Sequence, residues 1–145
     1  MTELAPGRVI GVDLGEARVG VAVSDPGRRL AFPLAVLEHN GGQGSDEWRA
    51  LGALVAEQGA SIVVVGLPIS LDGTLGPAAR RAMEAMEGLR RALPDAVVLP
   101  FDERLSTVEA ARARRLERPR RARRQRVDDA AAAVILQAWL DRERA

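Results

Sequence analysis

Two alternating apolar runs near the start of the chain, Val9–Leu14 and Arg18–Ser24, are separated only by Gly15-Glu16-Ala17. So short a link containing glycine leaves the second strand no course but back alongside the first, which predicts a hairpin. Leu30–Leu37 (LAFPLAVL) reads as a third strand, with Pro33 suited to an edge or a bulge. Downstream the pattern changes. Ser45 or Asp46 can cap a helix running to about Gln58, with Trp48, Leu51, Leu54 and Val55 as its apolar stripe and Gly59 at its C-terminal cap. Ser61–Val65 is a continuous apolar run, the mark of a strand covered on both faces, and it ends in Gly66-Leu67-Pro68. Gly76-Pro77 opens a second helix that ends before Pro94, and Ala96–Leu99 is a short fifth strand. Ser106-Thr107-Val108-Glu109 is a capping-box pattern, starting a helix that stops at Pro119. A last helix spans about Val127–Arg142, with Ala131, Ile135 and Trp139 on one face. The order βββαβαβαα predicts an α/β domain. Its mixed five-stranded sheet would have the first three strands antiparallel, later strands added in parallel, and helices packed on it.

The 145 residues suffice for one domain with a real core, 1–145, and are too few for two. The absence of cysteine excludes disulfides, thiolate nucleophiles and Cys-based zinc sites. The single histidine, His39, stands in His39-Asn40-Gly41-Gly42 and reads as a surface loop residue. No apolar run approaches the length needed to span a bilayer, and MTELAPGR lacks a signal-peptide core. No membrane partner and a cytoplasmic location are therefore expected.

Charge is unevenly spread. All 21 basic residues are arginine. Between Arg112 and Arg126 there are nine arginines and one acid, a local charge of +8 against −7 for the remaining residues. Such a cationic flank on an acidic body suits contact with phosphate backbones. Aromatic content of 3%, with no tyrosine, disfavours base-stacking platforms, so backbone and shape recognition fits better.

Asp13 is out of place in its apolar run, because burying a carboxylate without a partner is costly. Either it ends the strand in a turn, or a positive charge comes to meet it. It shares a face with Val9 and Gly11, and small neighbours across the hairpin, Gly20 and Ala22, would leave room for a ligand or metal. Glu103 lies just past a strand's carboxyl end, where open α/β sheets commonly place ligands. Asp128 and Asp129 begin the last helix, where free N–H groups and the helix dipole welcome acids. Individually these acids are ordinary. Together they could converge on one end of the sheet, and divalent cations would relieve their repulsion. Mg²⁺ prefers carboxylate and water oxygens, and a pair of such ions can activate water for phosphodiester hydrolysis. A chain without lysine holds no Walker lysine, and no GxSxG elbow is present.

VDLGEARVGVAVSD, VVVGLPISLDGTLGP, FDERLST and VDDAAAAVILQ, in this order and spacing, resemble the YqgF family from about Arg8 to Leu140. Its members are described as Holliday junction resolvase-like proteins and as pre-16S rRNA nucleases. The resemblance implies a ribonuclease H-like fold and an endonuclease dependent on Mg²⁺ or Mn²⁺. It puts the family's acidic, metal-binding and catalytic positions on Asp13, Glu103 and Asp128, leaving Asp129 a spare ligand or a second cap. Arg18 and Arg104 match basic positions near the site, while Ser70 stands where many members have asparagine or lysine. Arg120, Arg121, Arg123, Arg124 and Arg126 would position phosphates.

The implied substrate is structured RNA, in 5′-end processing of pre-16S rRNA during ribosome biogenesis, with ribosomal particles as a further partner class. One alternative is branched DNA, which calls for a two-fold homodimer. Another is a non-catalytic nucleic-acid-binding module. The Asp13-x-Gly15 loop is also similar to that of actin–sugar-kinase folds, but those need two such domains.

Overall fold

The computed structural model describes residues 7–38, 46–117 and 130–145, and of residues 114–117 the backbone alone. Five strands form one sheet: β1 (Val9–Leu14), β2 (Arg18–Ser24), β3 (Ala31–Glu38), β4 (Ile62–Leu67) and β5 (Val97–Asp102). Among the described residues the helices are α1 (Asp46–Glu57), α2 (Pro77–Ala92), α3 (Val108–Glu117) and α4 (Ala130–Arg144), with a 3-10 turn at Glu103–Leu105. Strand order is β3-β2-β1-β4-β5. The first three strands pair antiparallel, whereas β4 joins β1, and β5 joins β4, in parallel. The expected mixed sheet is therefore present.

Alternation along the strands divides the core into two layers. Ile10, Val12, Val19, Val21, Val63, Val65 and Val98 face α1 and α2, meeting Trp48, Leu51, Val55, Met86 and Leu89. Val9, Ala22, Ile62, Val64 and Phe101 face α3 and α4, meeting Val108, Ala131, Ile135, Leu136 and Trp139. Ser24 is fully buried at the end of β2, and its hydroxyl accepts from Val9 N at 2.8 Å while donating to Asp25 O at 2.9 Å. That pair closes the open end of the hairpin. The β2–β3 connection is built on Asp25, whose carboxylate accepts from the backbone N–H groups of Gly27, Arg29 and Leu30.

Several boundaries differ from the sequence reading. β4 continues through Gly66 to Leu67, beyond the predicted end at Val65. β5 runs on through Pro100 to Asp102, beyond the predicted Ala96–Leu99. Pro100 is admissible because β5 is an edge strand with one side free of pairing demands. Pro33 likewise lies in the other edge strand, beside a register shift between Val21 and Ala22. The reciprocal capping box at Ser106 to Glu109 gives way to other partners. Ser106 Oγ accepts from Val108 N at 3.3 Å, but the Glu109 carboxylate pairs with Arg112. His39, the loop around it and the possible cap Ser45 lie outside the described residues.

α4 passes close over β1 at Gly11. A Cβ there would stand 2.7 Å from Leu136 Cβ and 3.2 Å from Ala132 O. Both obstructing atoms belong to or adjoin helix backbone and cannot swing aside. Of the small residues expected to leave room beside Asp13, Ala22 is fully buried in the layer that α4 covers. Gly11→Ala is expected to force α4 off the sheet and lower unfolding stability by about 1–3 kcal/mol, as measured by denaturant titration.

Candidate active site

β1, β4 and β5 run parallel, so their carboxyl ends lie at one edge of the sheet, the usual ligand edge of such folds. Asp13 is the fifth residue of β1 and Glu103 follows β5 directly. Both acids are buried, at 6% and 7% exposure. What meets them is Arg112, from the second turn of α3. Its NH2 nitrogen donates to Asp13 Oδ1 at 2.6 Å and to Glu103 Oε2 at 3.2 Å. NH1 donates to Glu103 Oε1 at 2.9 Å and to Glu109 Oε1 at 2.9 Å. One planar guanidinium thus serves three carboxylates, two of them buried, and holds Glu103 in a two-pronged grip. Because one nitrogen serves both, Asp13 Oδ1 and Glu103 Oε2 lie no further apart than those two bonds laid end to end.

The electrostatics follow from burial. Glu103 is pushed above the ordinary glutamate range by loss of solvent, reinforced by the nearby Asp13 charge and opposed by Arg112. Burial alone would weaken the proton affinity of Arg112. Its bonds to Glu103 and its attraction to Asp13 outweigh that, so the guanidinium stays charged. The site is a triad of two buried acids and one cation.

The strand between the acids makes space for them. A Cβ on Gly66 would fall 2.7 Å from Glu103 Oε2 and 2.8 Å from Ile135 Cδ1. Gly66 therefore owes its place to close approach, and the breaker cluster expected from sequence is a strand with a notch in it. Arg104 turns to its neighbour: Nε and NH2 grip the Asp102 carboxylate at 3.0 Å and 2.7 Å, and NH1 reaches Ser70 O at 3.4 Å. That bonding lowers the Asp102 pKa. Arg104 thereby ties the β4–α2 loop to the end of β5. Within that loop Asp72 accepts from both the N–H and the hydroxyl of Thr74.

Of the site residues expected from sequence, Asp13 and Glu103 come together. Arg18 opens β2 opposite Glu38, and its carbonyl accepts from Gly15 N at 2.8 Å to close the hairpin. Asp128, Asp129, Arg120, Arg121, Arg123, Arg124 and Arg126 lie outside the described residues. Arg112 is the bridging residue that sequence reasoning did not single out, having counted it only as the first member of the arginine tract. The available signal was its i,i+3 spacing from Glu109 on a helix following Glu103.

The donor set suits a hard divalent cation. Mg²⁺ is commonly held by one or two carboxylates together with water and substrate phosphate, and Asp13 and Glu103 supply two such carboxylates. Among the described residues no group of three His, Cys, Asp or Glu side chains is placed to hold an ion.

The sequence profile described as "RuvX: Holliday junction resolvase" matches residues 7–142. The chain belongs to the RuvX/YqgF family. A relative in Nocardia farcinica, named "Putative pre-16S rRNA nuclease", is 43% identical over 97% of this chain and 81% of its own length. Another of that name from Anaeromyxobacter is 45% identical over 92% of this chain and 96% of its own length. Membership makes the chain a nuclease. Among solved structures, Thermus thermophilus RuvC in complex with a Holliday junction substrate superposes with a TM-score of 0.54, at 16% identity over 94% of this chain and 96% of that one. The fowlpox virus Holliday junction resolvase gives 0.54 at 10% identity, covering 93% of this chain and 99% of that one. These two likenesses concern the fold alone, which is ribonuclease H-like.

The notch at Gly66 generates a test. Both atoms that an added methyl would meet are side-chain ends, so Gly66→Ala should fold with a modest loss of stability while displacing the Glu103 carboxylate. Nuclease activity should fall by about a hundredfold, as expected for misplacement of a reacting group by roughly 1 Å. Activity near the parent level would show that the notch is not needed to place Glu103.

Proposed function

We propose that the chain is a divalent-metal-dependent endonuclease acting on structured RNA, with pre-16S rRNA its substrate and Asp13 and Glu103 its ion ligands. The observation that supports this most directly is the meeting of Asp13 and Glu103, 90 residues apart in sequence, at the carboxyl edge of β1 and β5. Folding has to suppress the repulsion and desolvation of two buried acids, a cost that core packing alone does not require. Asp128 is the third ligand in this reading, as the family motif implies, with Asp129 available beside it.

When bound, a divalent ion supplies charge neutralisation at the phosphodiester and activation of water. The chain's own residues do the rest. Asp13 on β1 and Glu103 on the turn directly after β5 present oxygens from a fixed frame, which limits where the scissile phosphate can lie. Gly66, by presenting no side chain, leaves the Glu103 carboxylate its place against β4. Arg104, clamped to Asp102 and Ser70, orders the adjacent loop. Arg18 and the arginines at 120, 121, 123, 124 and 126 attract the phosphate backbone.

Support for an RNA substrate comes from the naming of relatives that are 43–46% identical. The description of the family profile favours branched DNA as the second reading. No helix among the described residues is long and apolar enough to cross a membrane.

The test is cleavage of a precursor 16S rRNA fragment and of a four-way DNA junction, with Mg²⁺, with Mn²⁺ and with EDTA. RNA should be cut only with metal. Asp13→Asn and Glu103→Gln should each lose at least the roughly 10–100-fold that removal of a supporting partner costs at a metal site. Full activity of Asp13→Asn would overturn the ligand assignment, and preferential cutting of the junction would move the substrate to DNA.

A further inference from the structure

We infer that Arg112 is a displaceable counter-cation. Its guanidinium holds Asp13 and Glu103 together before a divalent ion binds and must leave the pair when one does. This rests on the reading of those two acids as ion ligands.

The geometry argues for mutual exclusion. Arg112 engages Asp13 Oδ1 and both oxygens of Glu103, which are among the oxygens an ion shared by the two carboxylates would use. A guanidinium nitrogen already stands 2.6 Å and 3.2 Å from them, in the space between the two side chains. A cation placed there would meet that nitrogen in steric contact and with like charge.

Arg112 also has somewhere to go. It is 24% exposed, unlike the acids it bridges, and its third partner is Glu109 on the same helix at 2.9 Å. The Glu109 side chain is 86% exposed. By rotating its flexible stem toward Glu109, Arg112 can keep one ion pair while releasing two, with no movement of α3. The displaced guanidinium would then stand at the rim of the site with its charge turned outward, where a substrate phosphate can accept from it.

A residue that only braces the fold would not compete with metal. An internal ligand occupying a site lowers the apparent affinity of an external one by the fraction of time the site is free. Removing it should therefore tighten metal binding while loosening the metal-free protein. These two effects have opposite signs and can be read on the same sample.

The experiment measures Mn²⁺ binding to chelator-stripped full-length protein by calorimetry, for the parent, Arg112→Gln and Arg112→Lys. Melting temperatures are taken in EDTA. Arg112→Gln should bind Mn²⁺ at least about tenfold more tightly than the parent, and it should melt lower in EDTA. Arg112→Lys keeps the charge without the fork and should fall between them. On the unsubstituted protein, ¹⁵N-arginine NMR should show the Arg112 guanidinium held rigid in EDTA and released at saturating Mg²⁺. Its signal is identified by its absence from the Arg112→Lys spectrum.

Equal or weaker Mn²⁺ binding by Arg112→Gln, or a guanidinium signal unmoved by Mg²⁺, would overturn the displacement and leave the nuclease reading intact. If Arg112→Gln does not fold, the lysine variant and the NMR titration decide. Mn²⁺ binding absent from all three proteins would remove the ion-ligand reading itself.

Discussion

The contact on which the rest of the site depends is the sharing of one guanidinium between Asp13 and Glu103. Two carboxylates buried at the end of a sheet would repel each other and lose most of their hydration. Neither penalty is small in a low-dielectric setting. Arg112 answers both at once, with charge to cancel repulsion and a planar fork whose donors replace lost water. The same bonds fix α3 on the sheet. Among its described side chains the buried apolar ones are Val108 and Ala111, and the polar contact adds a directional tie to their packing.

On the opposite flank the anchoring is mostly backbone-directed. Gln137 of α4 accepts from Ala31 N at 2.9 Å and donates to Arg29 O at 2.8 Å. Arg144 donates to the carbonyls of Arg28 and Arg29 at 3.0 Å. The last helix is thus stapled to the β2–β3 turn at its far end and wedged against Gly11 at its middle. Because α4 packs across β1, β2, β3 and β4, its placement is over-determined. That rigidity suits an element on whose packing the Glu103 side of the notch, through Ile135, also leans.

Much of this was legible in the sequence wherever a signal is local. Alternation gave β1 and β2 their observed bounds, and Gly76-Pro77 marked the start of α2 correctly. The β4 and β5 ends were read too early because Gly66 and Pro100 look like breakers. Each is accommodated by a tertiary circumstance, the nearby Glu103 in one case and an unpaired strand edge in the other. Asp13 and Glu103 were visible as acids in unusual contexts, and their convergence followed from topology. Arg112 was not visible. Its i,i+3 spacing from Glu109 is local, but one arginine among nine carries no mark of Asp13 or Glu103, and the positive charge expected beside Asp13 was assigned to a metal. Ala22, expected to leave room beside Asp13, is instead packed into the layer that α4 covers.

The strand order has a consequence for how the site tolerates change. β1 and β5 are not neighbours; β4 lies between them, so their backbones stand roughly 10 Å apart at about 4.8 Å per strand spacing. The two acids can converge only over β4, at the one position where that strand presents hydrogen in place of a side chain. Side chains alternate with period two, so a slip of β4 by a single residue would carry Val65 or Leu67 into the gap and roof it over. The buried run Ile62–Val65 therefore acts as a ruler as well as a core: by refusing any other alignment, it keeps the vacancy under the acids in line with them.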